Sequence, residues 1–434
     1  MSYRPWFTVA ASVLVASSGV LDVAAASSLP YRMLHRDVLV NADCWAHEPK
    51  IIGAGLGFTQ IIGIPGLSIP GLGEWIARVN GATWNDVPGD NVPLRAHTSA
   101  STPLANWIAY GEFAMLQDGF PIEFSWPVQP TTVSPTDFLV TLSDGSQVTP
   151  VAASVFPNFE YNERSTVVIF GEFGDRLDPD VNPDALYVVK LEVVQDDTPL
   201  TLIGPGGKMA AAAGLSFGDG ETPMTAYRAG HGPTLCAAKI SHMNVVGDTG
   251  PRLFRGALPN HGRAIYGAAA QYRLRVLTTG GFSPDGVAAV LPTDFERFFR
   301  LRLLTDSGDV HWITEANHVY TIEGHHLQVL GLAELGLSED EDAYDLAYAE
   351  DHDNQIDIIL QGDEAAMRLI THVHIPASGE YDPFYNPGGP GNNPTPGVTF
   401  TQPGPETMQP VLNALDDPLT VTWFGAKRRH APAP

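Results

Sequence analysis

The feature that most constrains the fold of this chain is a seven-residue pattern that occurs twice. Tyr272-Arg-Leu-Arg-Val-Leu-Thr is followed, 27 residues later, by Phe299-Arg-Leu-Arg-Leu-Leu-Thr. Arginine alternates with apolar residues in both copies, which is the two-residue period of a β-strand that buries one face. We therefore expect both copies to be strands that bury their leucines and carry their two arginines on the opposite face.

The arginines of the two copies form a candidate binding site. If both strands lie in one sheet with these faces aligned, four guanidinium groups gather on it. Such a cluster needs counter-charges, either from the protein or from a ligand. The candidate ligand-binding residues are Arg273, Arg275, Arg300 and Arg302.

The first 26 residues have the pattern of a secretory signal peptide. Arg4 precedes a mostly apolar run at 7–21, and Ala24-Ala-Ala offers a cleavage site before Ser27. The apolar run is shorter than the ~20 residues that a membrane span needs. No N-x-Ser/Thr glycosylation site occurs, which favours a bacterial exported protein. We expect a secreted or periplasmic location.

The charge of the chain restricts its partners. The formal net charge is −25 over 434 residues, which argues against nucleic acid and anionic membranes. The expected partner is an extracellular or cell-surface ligand.

The two cysteines, Cys44 and Cys236, are expected to form a disulfide in an oxidising compartment. The alternative is a pair of buried free thiols.

The pattern of apolar residues and turns predicts a mainly β protein with few helices. It contains an Ig-like β-sandwich and a second β-rich domain. The expected divisions are a signal peptide at 1–26, an irregular segment at 27–118 that packs on the second β domain, the sandwich at 119–196, the second domain with an acidic loop at 197–378, and a Pro/Gly-rich tail at 379–434.

The sandwich segment resembles a known type of module. It contains Phe124-Ser-Trp-Pro-Val, then Asp137-Phe-Leu-Val-Thr-Leu-Ser-Asp-Gly, then Thr166-Val-Val-Ile-Phe. These runs are similar to the bacterial Ig-like modules of secreted and surface proteins. The resemblance covers under a fifth of the chain, and it implies a fold without implying an activity.

Charge is unevenly distributed along the second half of the chain. Residues 228–302 hold ten basic residues against four acids, and residues 303–367 hold sixteen acids with no lysine or arginine. One interpretation is that the two segments neutralise each other across an interface. The other is a surface with a cation site in one segment and an anion site in the other.

The best cation candidate is the acidic run at 350–357. Calcium prefers six to eight oxygen ligands, which Asp351, Asp353, Asn354 and Asp357 could supply from a loop. The run lacks the glycine and the final glutamate of an EF-hand loop. The alternative is a solvated acidic loop without bound metal.

Two further patterns point to a hydrolase. Two histidines on one strand, His372 and His374, resemble the start of a cupin metal site, but the glutamate spacing and the second cupin motif are missing. The other candidate metal-binding histidines are His311, His318, His325 and His326. Gly214-Leu-Ser216-Phe-Gly matches the nucleophile-elbow pattern, although a turn follows it where a helix is required.

The sequence therefore favours an exported protein with a binding or structural role at or outside the cell surface, with calcium as the candidate stabilising ion. The alternative is a secreted hydrolase with its site in residues 204–380, using metal-bound histidines or Ser216. A periplasmic binder of small anions, through the arginine face, is the third hypothesis.

Overall fold

The structure is a computed structural model, and it describes most of the chain from residue 29 to residue 425. The described range has gaps at 56, 83, 88–94, 99, 229, 244–261, 287, 338–343, 346–347, 351–353 and 387–400. The expected signal peptide at 1–26 lies outside the described residues. The described part is mainly β, as the sequence predicts.

The strands of the first half are β1 Val38–Asp43, β2 Ile51–Ala54, β3 Phe58–Ile62, β4 Asn85–Val87, β5 Arg95–His97, β6 Gln117–Phe124, β7 Phe138–Leu142, β8 Gln147–Val148, β9 Ala152–Ser154, β10 Thr166–Gly171, β11 Val188–Val193, β12 Thr201–Ile203, β13 Met209–Ala211 and β14 Ser216–Phe217. Those of the second half are β15 Leu235–His242, β16 Tyr272–Thr278, β17 Arg300–Leu304, β18 Val310–Ile313, β19 Tyr320–Ile322, β20 His325–Ala333, β21 Gly336–Leu337, β22 Ala349–Glu350, β23 Gln355–Gly362, β24 Ile370–Ile375, β25 Thr407–Pro410, β26 Leu412–Asn413 and β27 Thr420–Phe424.

Short helices connect these strands. Within the described residues they are α1 Leu29–Leu34, α2 Gly73–Val79, α3 Pro103–Tyr110, α4 Gly262–Tyr266, α5 Phe295–Phe298 and α6 Glu364–Arg368. No described helix is long and apolar enough to cross a membrane.

The first body is a sandwich of two antiparallel sheets. One sheet has the order β2-β6-β10-β9, with β3 also on β6, and the other has the order β14-β11-β7-β8. Phe138 and Val140 of β7 and alternate residues of β6, namely Phe120, Ile122 and Phe124, are fully buried in one shared core. The strand β6 is buried on both faces, so its sheet is covered on the outside as well.

The second body is also a pair of sheets around one core. The six-stranded sheet has the order β19-β20-β23-β16-β15-β26, and the four-stranded sheet has the order β18-β17-β24-β25. Leu274 of β16 and Leu301 of β17 are both fully buried in the core between them. The second body therefore buries the core-facing leucines of both copies, whereas Leu304, at the end of the second copy, is exposed.

The repeated pattern forms two strands, as predicted, but they do not lie in one sheet. The strand β16 belongs to the six-stranded sheet and β17 to the four-stranded sheet. Because the leucines of both strands point into the shared core, the two arginine pairs point away from it on opposite sides. The expected gathering of four guanidinium groups is therefore wrong.

The terminal segments are more regular than the sequence suggested. The segment 27–118 supplies β2 and β3 to the first sandwich. The expected tail at 379–434 contains strands that pair with the body: β25 with β24, β26 with β15, and β27 with β1. The proline and glycine content of this segment predicted an unpaired tail. After residue 406, however, short apolar runs pair with strands of the body, and this tertiary context determines their structure.

Candidate functional site

The first arginine pair lies buried between the two bodies. Arg273 is 2% exposed and Arg275 is fully buried. Asp43, at the end of β1, accepts hydrogen bonds of 3.0 Å from Nη2 of Arg273 and of 3.2 Å from Nη1 of Arg275. Asp357, on the neighbouring strand β23, accepts a fork of two bonds from Arg275, at 2.7 and 3.0 Å. These carboxylates are supplied by the protein itself.

Further buried charges complete this cluster. Arg275 also lies 2.6 Å from Glu334 and 3.4 Å from Glu163, measured between nitrogen and oxygen. Lys239 of β15 pairs with Asp43 and donates to the carbonyl oxygens of Pro418 and Leu419 at 3.1 Å. We call the seven residues that share these contacts the buried charge cluster: Asp43, Glu163, Lys239, Arg273, Arg275, Glu334 and Asp357.

Neighbouring charges in the buried charge cluster favour the ionised forms of Asp43, Asp357 and Arg275, whereas burial lowers the pKa of Lys239 despite the nearby Asp43. Burial alone would raise the pKa of Asp43, but Arg273, Lys239 and Arg275 lower it further than burial raises it. Burial alone would likewise lower the pKa of Arg275, and the surrounding carboxylates raise it well above its usual range. Glu334 and Asp357 come from the acidic segment 303–367, so the predicted neutralisation between the two segments is confirmed at Arg275. All seven members are buried, so the cluster offers no open ligand site.

The second arginine pair lies on the outer surface of the four-stranded sheet. Arg300 stacks on Trp312, with its guanidinium carbon 4.2 Å from the ring centre. Its Nε donates to Nδ1 of His374 at 2.8 Å, and Arg302 donates to Oγ1 of Thr371 at 3.0 Å. No described carboxylate lies within ion-pair distance of either guanidinium. The arginines of the second copy of the repeated pattern are therefore accessible to a ligand.

The histidines do not form a metal centre among the described residues, where no group of three metal-ligand side chains converges. His374 has both ring nitrogens in use, since Nδ1 accepts from Arg300 and Nε2 lies 2.9 Å from Glu406. His372 lies beside Arg302, and burial followed by that positive charge lowers its pKa. The side chains of His311, His318, His325 and His326 are solvent-exposed. Arginine neighbours make His372 and His374 poor ligands for a cation.

The calcium segment is only partly described. Asp351 and Asp353 lie outside the described residues. Asn354 is buried and donates to Glu123 at 3.1 Å and to the carbonyl oxygen of Thr278 at 2.8 Å. Both oxygens of Asp357 accept from Arg275, so this carboxylate faces the buried charge cluster. A calcium ion at this segment would therefore depend on Asp351 and Asp353.

The cysteines are free thiols in the structure, in contrast to the expected disulfide. Cys236 donates to the carbonyl oxygen of Leu277, and Cys44 is fully buried. Burial raises the pKa of both thiols, that of Cys44 to about 12. The contact between the first and last parts of the chain instead comes from the buried charge cluster and from strand pairing.

Ser216 is exposed on the two-residue strand β14, at the edge of its sheet. A turn follows it, and Asp219 in that turn accepts bonds from Glu221 and Thr222. No described histidine lies within hydrogen-bonding distance of its hydroxyl. The strand-to-helix turn that a nucleophile elbow requires is not formed here.

A concave site of about 340 Å³ opens where the two bodies meet. Its apolar walls include Phe58, Pro121, Phe217, Met224 and Pro233. A cavity of this volume with mostly apolar walls is large enough to hold a small ligand. We call this site the Asn386 pocket, after the buried asparagine that lines it.

Asn386 is the most unusual residue of the Asn386 pocket. Its side chain is 5% exposed, and no described residue donates a hydrogen bond to its Oδ1. The preceding residue is anchored, because the backbone N–H of Tyr385 donates to Ser283 at 2.9 Å. A buried carbonyl oxygen without a donor costs about 1–3 kcal/mol, so its presence calls for an explanation.

The other polar groups of the Asn386 pocket carry no permanent charge. His231, Thr234 and Thr279 converge on it. Burial, and then Arg228, lower the pKa of His231, which favours its neutral form. None of the described lining residues is an aspartate, glutamate, lysine or arginine. The lining is therefore suited to an uncharged ligand, because an ion would be buried there without a counter-charge.

No sequence pattern points directly to this pocket. Its lining comes from residues 54–58, 121, 217–234, 279 and 386, which are far apart in the chain. The one local hint is Gly230-His-Gly-Pro-Thr, a turn-forming run that places His231 and Thr234 near each other.

Comparison of the chain with family models, with curated proteins and with solved structures finds no match. The Ig-like assignment of residues 119–196 therefore stays a prediction.

Proposed function

We propose that this chain is an exported binding protein that holds a small uncharged molecule in the Asn386 pocket. The export part of the proposal is supported by the signal-peptide pattern of residues 1–26. The binding part is supported by the pocket. Its occupant would carry an N–H or O–H donor for Asn386 and an apolar part for the walls.

The observation that carries the proposal is the unpaired Oδ1 of Asn386. Buried polar groups in folded proteins almost always have a partner. Oδ1 has almost no exposed surface in the free protein and packs against Gly280, so the amide would turn toward the pocket for a ligand donor to satisfy this oxygen. A site that hydrogen-bonds its ligand in this way also discriminates strongly against analogues that lack the donor.

The shape of the walls supports the same class of ligand. Phe58 and Phe217 offer apolar surface, and Thr234 and Thr279 offer hydroxyl groups on the side of the second body. The two threonines are held by reciprocal backbone bonds: the N–H of Thr279 donates to the carbonyl of Thr234, and the N–H of Thr234 donates to Oγ1 of Thr279. Their positions are therefore fixed before a ligand arrives.

Gly55 allows the proposal to be tested by filling the pocket. It lines the pocket, its φ is not in the left-handed region, and a β-carbon added there would meet no atom within 4 Å. Gly55→Phe should therefore occupy the site without strain, and Gly55→Ala is the matched control. A panel of uncharged amides, phenols and methyl glycosides would be tested for an increase in melting temperature and by titration calorimetry.

We expect at least one compound class to bind the wild-type protein and Gly55→Ala with similar affinity. Gly55→Phe should bind it at least tenfold more weakly while melting at a temperature close to that of the wild type. Binding that is equal in Gly55→Phe, or no binding by any compound of the panel, would overturn the proposal.

A further inference from the structure

The outer surface of the four-stranded sheet has an unusual composition for so acidic a chain. Directly opposite residues of antiparallel strands share a face. Arg302 lies opposite both Trp312 and His372, and Arg300 lies opposite His374. We call this surface the Arg300–Arg302 face, and its residues are Arg300, Arg302, Leu304, Val310, Trp312, His372, His374, Met408 and Pro410.

The Arg300–Arg302 face lacks the counter-charges that several other surface arginines have. Four exposed or half-exposed arginines each pair with a carboxylate: Arg78, Arg228, Arg297 and Arg368. Neither Arg300 nor Arg302 has such a partner among the described residues, although the chain holds 49 acids against 24 basic residues. Among the described residues, Glu406 reaches this face and is bonded to His374.

The backbone places Arg302 in a defined position. The pairing of β17 with β24 shifts between Arg302 and Leu303, so that Thr371 is an extra residue on β24. This irregularity brings Oγ1 of Thr371 to 3.0 Å from Nη1 of Arg302, and the same hydroxyl donates to the carbonyl of Arg302. Bulges of this kind often redirect a side chain next to a functional site. Most of the guanidinium donors of Arg302 remain available.

Arg300 is held by a different contact. Its guanidinium lies against Trp312 at 4.2 Å, with Tyr381 at 5.8 Å. Stacking uses the flat face of a guanidinium, and the N–H donors lie in its plane, so stacking does not consume them. One donor, Nε, is bonded to His374. The group is thus immobilised with a free donor edge, which lowers the entropy cost of binding.

We propose that Arg300 and Arg302 bind the oxyanion groups of an anionic ligand that carries at least two of them, such as carboxylates or phosphates. Residues two apart on a strand are about 6.7 Å apart, so the two guanidinium groups suit two oxyanions of one ligand. Guanidinium groups bind both classes through paired, charge-assisted hydrogen bonds. This site is separate from the Asn386 pocket, whose lining is uncharged.

The two copies of the repeated pattern support this assignment. Arg273 and Arg275 occupy equivalent positions in β16, and there the protein supplies Asp43 and Asp357 as counter-charges. In β17 the cross-strand positions hold tryptophan and histidine. The counter-charges of the exposed copy would come from the ligand.

The test is titration calorimetry with citrate and with inorganic pyrophosphate, each of which carries at least two oxyanion groups, at low ionic strength on the full protein. Arg300→Gln and Arg302→Gln should each weaken binding about tenfold, and Arg302→Lys should restore only part of it, because lysine cannot make paired bonds. The matched control is Arg228→Gln, which removes the same charge from an arginine already paired with Asp180.

Citrate binding alone would identify carboxylates as the ligand groups, and binding of both anions would identify oxyanions in general. Either result, with affinity lost in the Arg300 and Arg302 variants and kept in Arg228→Gln and Gly55→Phe, would support the proposal. Absence of binding by both anions would overturn it. An equal loss in Arg228→Gln would also overturn it, since it would reflect net charge alone.

Discussion

Asn386 is held between two glycines that leave no room for a larger residue. A β-carbon on Gly57 would lie 2.7 Å from its Nδ2, and one on Gly280 would lie 2.5 Å from its Oδ1. Both distances are too short for real contacts. The glycines therefore allow the amide to occupy the wall of the Asn386 pocket, which explains their place in the chain better than backbone flexibility does.

Asn386→Leu separates a binding role from a structural one. Leucine has a similar shape and removes the unpaired oxygen, so we expect the free protein to gain about 1–3 kcal/mol of stability. Ligand binding should weaken at least tenfold, because the acceptor is lost. Urea unfolding and calorimetry would measure both effects. A variant that is destabilised and still binds would contradict the assignment.

Asp43→Asn tests the buried charge cluster. The substitution removes the negative charge of Asp43 and leaves three buried cations with fewer carboxylates. Breaking a buried ion pair typically costs about 3–5 kcal/mol. We expect a loss of that size in the unfolding free energy. Asp180→Asn is the control, since it breaks the exposed pair with Arg228 and should cost no more than about 1 kcal/mol. Equal losses in the two variants would show that burial of the cluster is unimportant.

At the scale of elements, periodicity predicted strands well and their partners poorly. The run that begins at Asp137 contains strand β7, and both arginine-containing segments are strands that bury Leu274 and Leu301. A two-residue period shows which side chains share a face of one strand. It does not show which sheet the strand joins, and so the two arginine pairs could not be separated from the sequence.

The acidic segment at 339–364 gives an element-scale prediction. It holds eleven acids and no lysine or arginine, and a divalent ion would relieve their repulsion. Calcium at 100 times its Kd would add about 2.7 kcal/mol of stability. The melting temperature should rise with calcium and fall with chelator. Asp353→Ala should remove the response, whereas Asp306→Ala, outside the segment, should keep it. Identical melting curves with calcium and with chelator would favour the solvated loop.

At the scale of the whole molecule, the candidate site depends on how the two bodies meet. The sequence identified Arg300 and Arg302, because their pattern is local. It missed Asn386 and the walls of its pocket, since residues 58, 217, 279 and 386 are brought together only by the packing of one sandwich on the other. The unpaired oxygen is a property of the folded surroundings and has no signature in the chain.

The pH dependence of stability combines two groups of carboxyls. Burial raises the pKa of Asp118 and Asp137 to about 7, from 3.8. Between pH 3.8 and about pH 7 the folded state binds more protons than the unfolded state. These two carboxyls therefore reduce the free energy of unfolding as the pH rises. Asp43 and Asp357 have lowered pKa values, despite burial, because of their arginine partners. Their stabilising effect is present above pH 3.8 and is lost as pH falls below it.

We therefore expect the unfolding free energy to be greatest near about pH 5 and lower at both pH 3 and pH 8. Urea unfolding at the three pH values would measure it. Asp118→Asn should reduce the decline between pH 5 and pH 8. Stability that increases from pH 5 to pH 8 would contradict this account.

The most direct test of the binding proposal is a crystal structure of the protein soaked with the tightest-binding uncharged compound of the panel. We expect the compound in the Asn386 pocket, with an N–H or O–H donor about 3 Å from Oδ1 of Asn386 and its apolar part against Phe58 and Phe217. A compound bound elsewhere, or bound in the pocket with Oδ1 still unpaired, would contradict the central claim.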